Sequence, residues 1–139
     1  MRKILVPVDG SENSRRALEY ATSMAVAGDT LSLVHVIDIP PTVYVESQKL
    51  LHEIMSKFKE ESARILDQCR ALAQKGGVAI DAVTLEGDTA QGIVNYAQKG
   101  DFDMIVMGSR GLGKLKEIVL GGVSSKVLQR AKCPVLIVK

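Results

Sequence analysis

The sequence predicts an α/β fold: one open, parallel sheet of five strands, in the order 3-2-1-4-5, with helices on both faces. Strand-like and helix-like hydrophobic periods alternate along the chain, which favours parallel strands joined by helical crossovers. Glycine-bearing turns follow the first and the fourth predicted strands, at residues 9–11 and 108–113. If these two turns are neighbours, they mark the point where the strand order reverses, and this gives the predicted order.

Each predicted strand is a short apolar run bounded by turn residues. The residues 104–107 are entirely apolar, which is typical of a strand buried on both faces. Pro40 and Pro41 end the second strand, because a pair of prolines cannot continue a sheet interior. The five predicted strands lie at residues 3–9, 31–37, 78–85, 104–107 and 134–138.

Four amphipathic helices are predicted between the strands. Ser11 is the expected N-cap of the first helix, and Gly28 is expected to end it as a C′ glycine. A long helix over residues 46–75 has an apolar stripe at helical spacing, on which Phe58, Cys69 and Leu72 are expected to be buried. The other two helices are predicted after Thr89 and over residues 123–130.

Length and composition exclude several classes of protein. The chain has 139 residues, and since domains run to about 100–200 residues, one domain over residues 1–139 is expected. Apolar residues make up 46% and charged residues 24%, which excludes a disordered chain. A net charge of +2 is too small to indicate a nucleic-acid or membrane partner. With no membrane span, no signal peptide and only two cysteines, a cytoplasmic location is expected.

The glycine-rich segment after the fourth strand favours a phosphate site. Glycines let backbone N–H groups approach an anion without a Cβ clash. The last helix begins after Gly121 and Gly122, so its N-terminal amides and dipole are also available to a phosphate, with Ser124 adding a hydroxyl and Arg110 a charge. Residues 108–114 match the start of a Walker A loop, but Leu115 stands where that motif needs Ser or Thr.

No catalytic constellation is found in the spacing of the polar residues. No Ser-His-Asp arrangement, carboxylate pair or metal-ligand cluster is present, so no catalytic residue and no direct metal ligand are predicted. His35 lies among apolar neighbours in the second strand and is expected to be packed rather than catalytic.

Four segments together resemble the universal stress protein family. Residues 4–11 (Ile-Leu-Val-Pro-Val-Asp-Gly-Ser), residues 33–37 and residues 133–138 are each similar to it. The spacing Gly108-x-x-Gly111-(nine residues)-Gly121 resembles the family's nucleotide motif, G-2x-G-9x-G-(S/T). The resemblance runs from the first strand to the last, and it implies a Rossmann-like, adenine nucleotide alpha hydrolase-like fold that binds ATP.

The resemblance also implies which residues hold the nucleotide. Asp9 would contact the ribose or adenine, with Pro7 and Val8 lining the pocket, and Val36 would meet the adenine edge through its backbone. Magnesium or manganese would be bound through the phosphates rather than by protein side chains. The remaining implied contacts, toward ribose and phosphates, are Met107, Gly108, Arg110, Gly111, Gly121, Gly122, Val123 and Ser124.

One position departs from the family motif, because Gly122 stands in the (S/T) slot. Glycine keeps the backbone N–H but lacks a hydroxyl, and a hydrogen bond to a charged group is worth roughly 1.5–3 kcal/mol. Triphosphate binding is therefore expected to weaken or to shift toward ADP or AMP, with Ser124 compensating in part. Gly108→Val is expected to abolish nucleotide binding while leaving the fold intact.

For the whole protein, the resemblance implies a nucleotide-responsive regulatory protein of the stress response. It would act as a homodimer paired through Val135–Val138, with an unidentified protein partner and at most slow ATP hydrolysis. The alternative is a dimeric interaction module of the same family that does not use a nucleotide. An ATP pyrophosphatase is disfavoured, because its S-G-G-x-D-S motif is replaced here by residues 8–13, Val-Asp-Gly-Ser-Glu-Asn.

Overall fold

A computed structural model describes residues 1–40, 47–109 and 120–139 of the chain. Its five strands form one parallel sheet in the order β3-β2-β1-β4-β5, which confirms the predicted topology. The elements are β1 (Lys3–Pro7), α1 (Glu12–Met24), β2 (Thr30–Ile37), α2 (Gln48–Leu72), β3 (Ala79–Glu86), α3 (Thr89–Lys99), β4 (Met104–Gly108), α4 (Gly122–Arg130) and β5 (Val135–Val138).

The sheet has a separate hydrophobic core on each face. Alternate side chains of β1 point to opposite faces, so Ile4 and Val6 pack with α1 and α2, whereas Leu5 packs with α3 and α4. We call these the α1/α2 face and the α3/α4 face. Both are filled by residues with little or no exposure, as expected for a parallel sheet covered on both sides.

The first helix begins where the sequence predicts and ends earlier. The Ser11 hydroxyl accepts a hydrogen bond from the Ser14 amide, which confirms Ser11 as the N-cap. The prediction that Gly28 ends the helix is wrong, because α1 stops at Met24. Lys75 donates to the last-turn carbonyls of Thr22 and Ser23, at 3.0 and 3.1 Å, so a distant side chain satisfies that helix end.

A buried carboxylate fixes the turn after α1. Asp29 is 2% exposed and accepts hydrogen bonds from the Val26 amide (3.0 Å) and the Arg2 amide (2.8 Å). The Arg2 guanidinium donates to the same carboxylate at 2.8 Å. These bonds hold the pKa of Asp29 well below its ordinary value, the side-chain bond from Arg2 contributing most. Asp29 therefore ties the start of β1 to the start of β2.

The apolar stripe of α2 differs from the predicted one at three positions. Phe58 and Leu72 were predicted to be buried, which is wrong, since they are 39% and 52% exposed. Ser62 is fully buried instead, and it faces polar partners on β2 and β3. Cys69 lies in the core as predicted.

Two further observations concern the cysteines and the lengths of the helices. Cys69 and Cys133 are both free thiols, as expected. Throughout the three described ranges, every helix is too short or too polar to cross a membrane.

Candidate functional site

The candidate site lies at the carboxyl ends of β1 and β4, which are adjacent strands. The chain leaves β1 toward β2 on one side of the sheet, whereas β4 is followed by β5 on the other side. Ligands of open parallel sheets bind in the crevice at such a reversal of strand order. The helices after the two strands, α1 and α4, pack on opposite faces, so the crevice opens between their N-termini.

The loop after β1 is held by its own polar groups. Asp9 Oδ1 accepts from the Ser11 amide at 2.9 Å, and the Asp9 amide donates to Ser14 Oγ at 3.3 Å. Within the described residues, the other carboxylate oxygen, Oδ2, has no hydrogen-bond partner. Gly10 has a φ of +83°, a conformation that side chains disfavour. The partly exposed Asp9 carboxylate is thus oriented by one oxygen, and the other oxygen is without a partner among the described residues.

The glycine at the end of β4 is required by packing. A Cβ at Gly108 would lie 2.8 Å from both the backbone carbon and the backbone oxygen of Asn13, in the first turn of α1. No real Cβ tolerates such a distance, so β4 and α1 approach each other only because residue 108 is glycine. The expectation that Gly108→Val leaves the fold intact is therefore wrong.

The start of α4 is tied to the end of β4 by two hydrogen bonds. The Gly121 amide donates to the Ser109 carbonyl, and Ser124 Oγ donates to the Gly108 carbonyl, each at 2.8 Å. Ser124 is 3% exposed, so its hydroxyl proton serves this internal bond. Gly121 is the N-cap and supplies no side-chain cap.

In the described ranges, the first turn of α4 therefore keeps backbone donors without a partner. The amides of Gly122 and Val123 have no acceptor inside the helix, and no side chain among the described residues caps this helix end. A Cβ at Gly122 would meet nothing within 4 Å among the described residues, so a side chain at this position would enter open space. With the helix dipole behind them, these amides can bind an anion.

The structure places the predicted site residues as follows. Val8 is buried and donates its amide to the Val34 carbonyl at 2.8 Å, which fixes Asp9 beside the end of β2. The side chain of Met107 is 5% exposed and belongs to the core of the α3/α4 face. Arg110 and Gly111 lie outside the described residues. Eight predicted residues flank the crevice at the ends of β1 and β4 and the start of α4: Pro7, Val8, Asp9, Gly108, Gly121, Gly122, Val123 and Ser124, with Val36 on β2.

Sequence reasoning missed a polar group close to this crevice. His35 is half-buried and packed, as predicted, but its Nδ1 lies 2.7 Å from Ser62 Oγ, which lies 2.7 Å from Thr84 Oγ1. Burial lowers the pKa of His35, against the opposing charges of Asp9 and Glu61. The separation of these residues along the chain left no local signal for their contact.

Comparison with known proteins identifies the family. The family model described as Universal stress protein family matches residues 1–139 of the chain. The chain belongs to the universal stress protein family. Universal stress protein MJ0531 of Methanocaldococcus jannaschii is 37% identical over 139 residues, covering 99% of this chain and 82% of the relative. Universal stress protein YxiE of Bacillus subtilis is 37% identical over 146 residues, covering 99% and 98%.

Solved structures of universal stress proteins share the fold. The structure of MJ0577 from Methanocaldococcus jannaschii superposes with a TM-score of 0.89 at 30% identity, covering 99% of this chain and 95% of the other. A family member from Arabidopsis thaliana with AMP bound gives a TM-score of 0.70 at 23% identity, covering 100% and 92%. One from Archaeoglobus fulgidus in complex with dAMP gives 0.70 at 22% identity, covering 100% and 98%.

Proposed function

We propose that this universal stress protein binds an adenine nucleotide in the crevice between β1 and β4. The observation that carries the proposal is the set of amides at the start of α4 that no described side chain caps, with open space at the Cβ position of Gly122. This is the geometry that backbone donors need to hold a phosphate. The AMP and dAMP complexes of proteins with the same fold support an adenine nucleotide as the ligand.

In this proposal, one group of site residues faces the adenosine end of the nucleotide and another faces its phosphate end. Asp9 keeps one carboxylate oxygen uncommitted among the described residues, and a ribose hydroxyl can donate to it. Val36, near the end of β2, lies on the adenine side. Gly122 and Val123 lie on the phosphate side, where they offer backbone N–H groups, whereas the N–H of Gly121 is bonded to Ser109.

ATP with magnesium or manganese is the physiological ligand in this proposal. In the part of the chain that the structure describes, no three His, Cys, Asp or Glu side chains gather as metal ligands. The metal would therefore be held by phosphate oxygens. Because Gly122 also lacks the hydroxyl of the family motif, we expect the terminal phosphates to add little affinity, so that AMP and ADP bind nearly as tightly as ATP.

The role we propose is regulatory rather than catalytic. The one Ser–His contact in the described ranges, between Ser62 and His35, has a serine with no exposure, so Ser62 is unable to reach a substrate. ATP hydrolysis would at most be slow. The nucleotide would instead change how the protein docks a partner in the cytoplasm, where two free thiols are stable.

We further propose that the protein forms a homodimer through β5. This strand ends the sheet, and its pairing with β4 uses one edge only. The carbonyls of Pro134 and Val138 bond to β4, so the backbone groups of Val135 and Ile137 face the open edge. An uncovered strand of apolar residues is prone to pair with another chain, and a twofold mate would satisfy it.

Two proline variants test the dimer. Ile137→Pro removes an N–H from the open edge only, and we expect it to give a folded monomer in sedimentation velocity. Leu136→Pro removes an N–H that faces β4, and we expect it to unfold at a lower temperature. A wild-type protein that is monomeric at every concentration would disprove the dimer.

A pair of variants at one position tests nucleotide binding. Gly122→Pro removes a single amide N–H, and proline suits the first position of a helix after the extended Gly121. Gly122→Ala keeps the N–H and places a similar Cβ in the same open space. By calorimetric titration with AMP, we expect the proline variant to lose at least about tenfold in affinity and the alanine variant to lose about threefold or less.

Nucleotide recovery and titration distinguish this proposal from its alternative, an interaction module that does not use a nucleotide. Stoichiometric nucleotide released from the purified, denatured protein would support the proposal. If none is released and millimolar AMP, ADP and ATP do not bind, the protein is a nucleotide-independent interaction module. Equal losses in the two variants would show that bulk at residue 122 matters and the amide does not.

A further inference from the structure

The sheet has a second outer edge, at β3, on the side opposite to β5. There β3 pairs with β2 alone. Ala79 donates its amide to the Asp29 carbonyl, just before β2, and Gly87 donates to the Ile37 carbonyl at the end of β2. Alternate residues of a strand point their backbone groups to opposite sides, so every second residue between Ala79 and Gly87 faces outward. We call these outward residues the β3 edge: Ile80, Ala82, Thr84 and Glu86.

An arginine side chain covers part of the β3 edge. Arg70, in the last turn of α2, donates from Nη1 to the Ile80 carbonyl at 3.2 Å. Among the described residues, it is the one side chain that bonds to an outward backbone group of β3. A strand added to this edge would need the same carbonyl as an acceptor. Arg70 must therefore leave before the β3 edge can pair along its whole length.

A carboxylate on β3 hinders pairing in a second way. Asp81 is the register partner of Ser32, which is the partner of Leu5 in the core of the α3/α4 face, so the Asp81 side chain points to that face. Val83 and Leu85 follow on the same side and pack against this core. Asp81 itself is exposed. A strand placed beside β3 would remove water from this carboxylate, and burying an unpaired charge is costly.

Both obstacles act against pairing with β3 of a second copy. Two β3 strands related by a twofold axis beside Val83 would run antiparallel and use the whole β3 edge. Ile80 would then be hydrogen-bonded to Glu86 of the second copy, through the carbonyl that Arg70 occupies. In the same register, Asp81 would lie opposite Leu85 of the second copy, so its charge would face an apolar side chain. By symmetry, each obstacle occurs twice in such a pair.

We propose that Arg70 and Asp81 keep the β3 edge from pairing with a second copy, so that the chain associates through β5 alone. The four residues of β5 are all apolar, so this strand carries no comparable charge. A copy that paired at both edges would extend the sheet without closure, and chains of copies would form. Blocking one edge limits the assembly to two copies. The inference rests on the proposed homodimer for this size, whereas the obstacles at β3 belong to the single chain.

Sedimentation velocity of a double variant of the full chain tests the proposal. Arg70→Ala frees the Ile80 carbonyl, and Asp81→Val replaces the carboxylate with a side chain that favours strands. We expect wild type to stay at two copies and the double variant to form larger assemblies that grow with concentration. Because each change acts twice in a twofold pair, association at β3 should tighten by about tenfold or more.

A matched control removes the same charges elsewhere. Arg64 and Asp67 are exposed on α2, and Arg64 is held in an ion pair with Glu61 rather than by β3. We expect the double variant Arg64→Ala with Asp67→Ala to sediment like wild type. Since Arg70 and Asp81 are exposed as well, both double variants should melt close to wild type, and melting curves check that they are folded.

Two proline substitutions identify the edge that pairs. Adding Ile137→Pro to the variant Arg70→Ala with Asp81→Val closes the β5 edge, so assembly should stop at two copies joined through β3. Adding Ala82→Pro as well removes an outward N–H from the β3 edge, and we expect this protein to be a monomer.

The outcomes distinguish this inference from the proposed dimer. If the variant Arg70→Ala with Asp81→Val sediments like wild type at every concentration, or if the matched control forms the same assemblies, the inference is overturned. Assemblies that survive Ala82→Pro overturn it too, because they do not use the β3 edge. If wild type is a monomer while the double variant forms a dimer that Ala82→Pro abolishes, the proposed β5 dimer fails and the inference at β3 stands.

Discussion

Ser124 in the first turn of α4 donates a hydrogen bond to the carbonyl of Gly108, the last residue of β4, at 2.8 Å. The bond is buried, and it sets the distance between the helix N-terminus and the strand end that together form the phosphate side of the crevice. A family motif suggests that a hydroxyl near this place contacts the ligand. In this chain, the Ser124 hydroxyl holds the protein's own backbone.

Removing that hydroxyl should affect stability and binding together. We expect Ser124→Ala to cost about 1–2 kcal/mol of unfolding free energy, since the Gly108 carbonyl loses a buried partner. The amides of α4 would also become less well positioned, so AMP affinity should fall. Urea unfolding and calorimetric titration measure the two effects. Ser125→Ala, one residue on at a less buried position, is the control and should change neither.

Gly108 and Gly122 should respond differently to a methyl group. We expect Gly108→Ala to destabilise the fold by about 1–3 kcal/mol, because the new Cβ meets the Asn13 backbone at 2.8 Å. Gly122→Ala should leave stability unchanged or slightly raised, since open space surrounds its Cβ and alanine favours a helix. Urea unfolding of both variants tests this, and similar stabilities would contradict the packing described for Gly108.

Restoring the family hydroxyl should strengthen triphosphate binding. In Gly122→Ser, the side chain enters open space beside the free amides and can donate to a phosphate oxygen. We expect ATP affinity to rise about tenfold, the equivalent of one hydrogen bond to a charged group, and AMP affinity to rise less. Titrations of ATP and AMP with both proteins measure the difference. An unchanged preference between the two nucleotides would show that residue 122 lies away from the outer phosphates.

The Asp29 carboxylate should contribute to acid sensitivity. Its pKa is lowered far below its ordinary value in the folded state, so its contribution to stability is complete above the unfolded value of about 3.9 and is lost progressively as pH falls from there toward the lower folded value. We expect Asp29→Asn to lower the melting temperature near pH ~7 by more than about 5 °C, and by less near pH ~2. Glu12→Gln, which alters an exposed ion pair, should have little effect at either pH. A loss in Asp29→Asn that is the same at both pH values would contradict this assignment.

The strand order was predictable because it depends on local signals. Two glycine turns at the ends of apolar runs were enough to place β1 beside β4, and the right-handed crossover rule restricts the remaining choices. N-caps were predictable for the same reason, since Ser11 and its partner Ser14 lie in one turn.

Features set by distant residues were not predictable. The last-turn carbonyls of α1 are bonded by Lys75, which follows α2 in the chain, and by Arg2, which precedes β1. Asp29 then fixes the turn after the helix. The burial of Ser62 depends on His35 and Thr84, which a helical pattern does not reveal. A period of 3.6 residues identifies a face, but tertiary contacts decide which positions on it are covered.

The different roles of the glycines in the site were also not predictable from the sequence. Spacing alone makes Gly108 a glycine of the family motif and places Gly122 in the (S/T) slot of the same motif, without showing what either glycine contacts. In the structure, Gly108 is required by the backbone of Asn13, far earlier in the chain, whereas nothing among the described residues constrains Gly122. Composition and spacing predicted the place of the crevice, and only the packing separates its structural glycine from the one that faces open space.

The central position of β1 has a consequence for the kinetics of folding. Lys3 is bonded to Asp103 and Ile4 is paired with Met104, so the crevice closes only when contacts between residues 100 positions apart form. Such long-range contacts form late, after the search for loop closure has been completed. A molecule bound in the crevice would then stabilise the native state more than the folding transition state. It would slow the unfolding rate and leave the folding rate nearly unchanged.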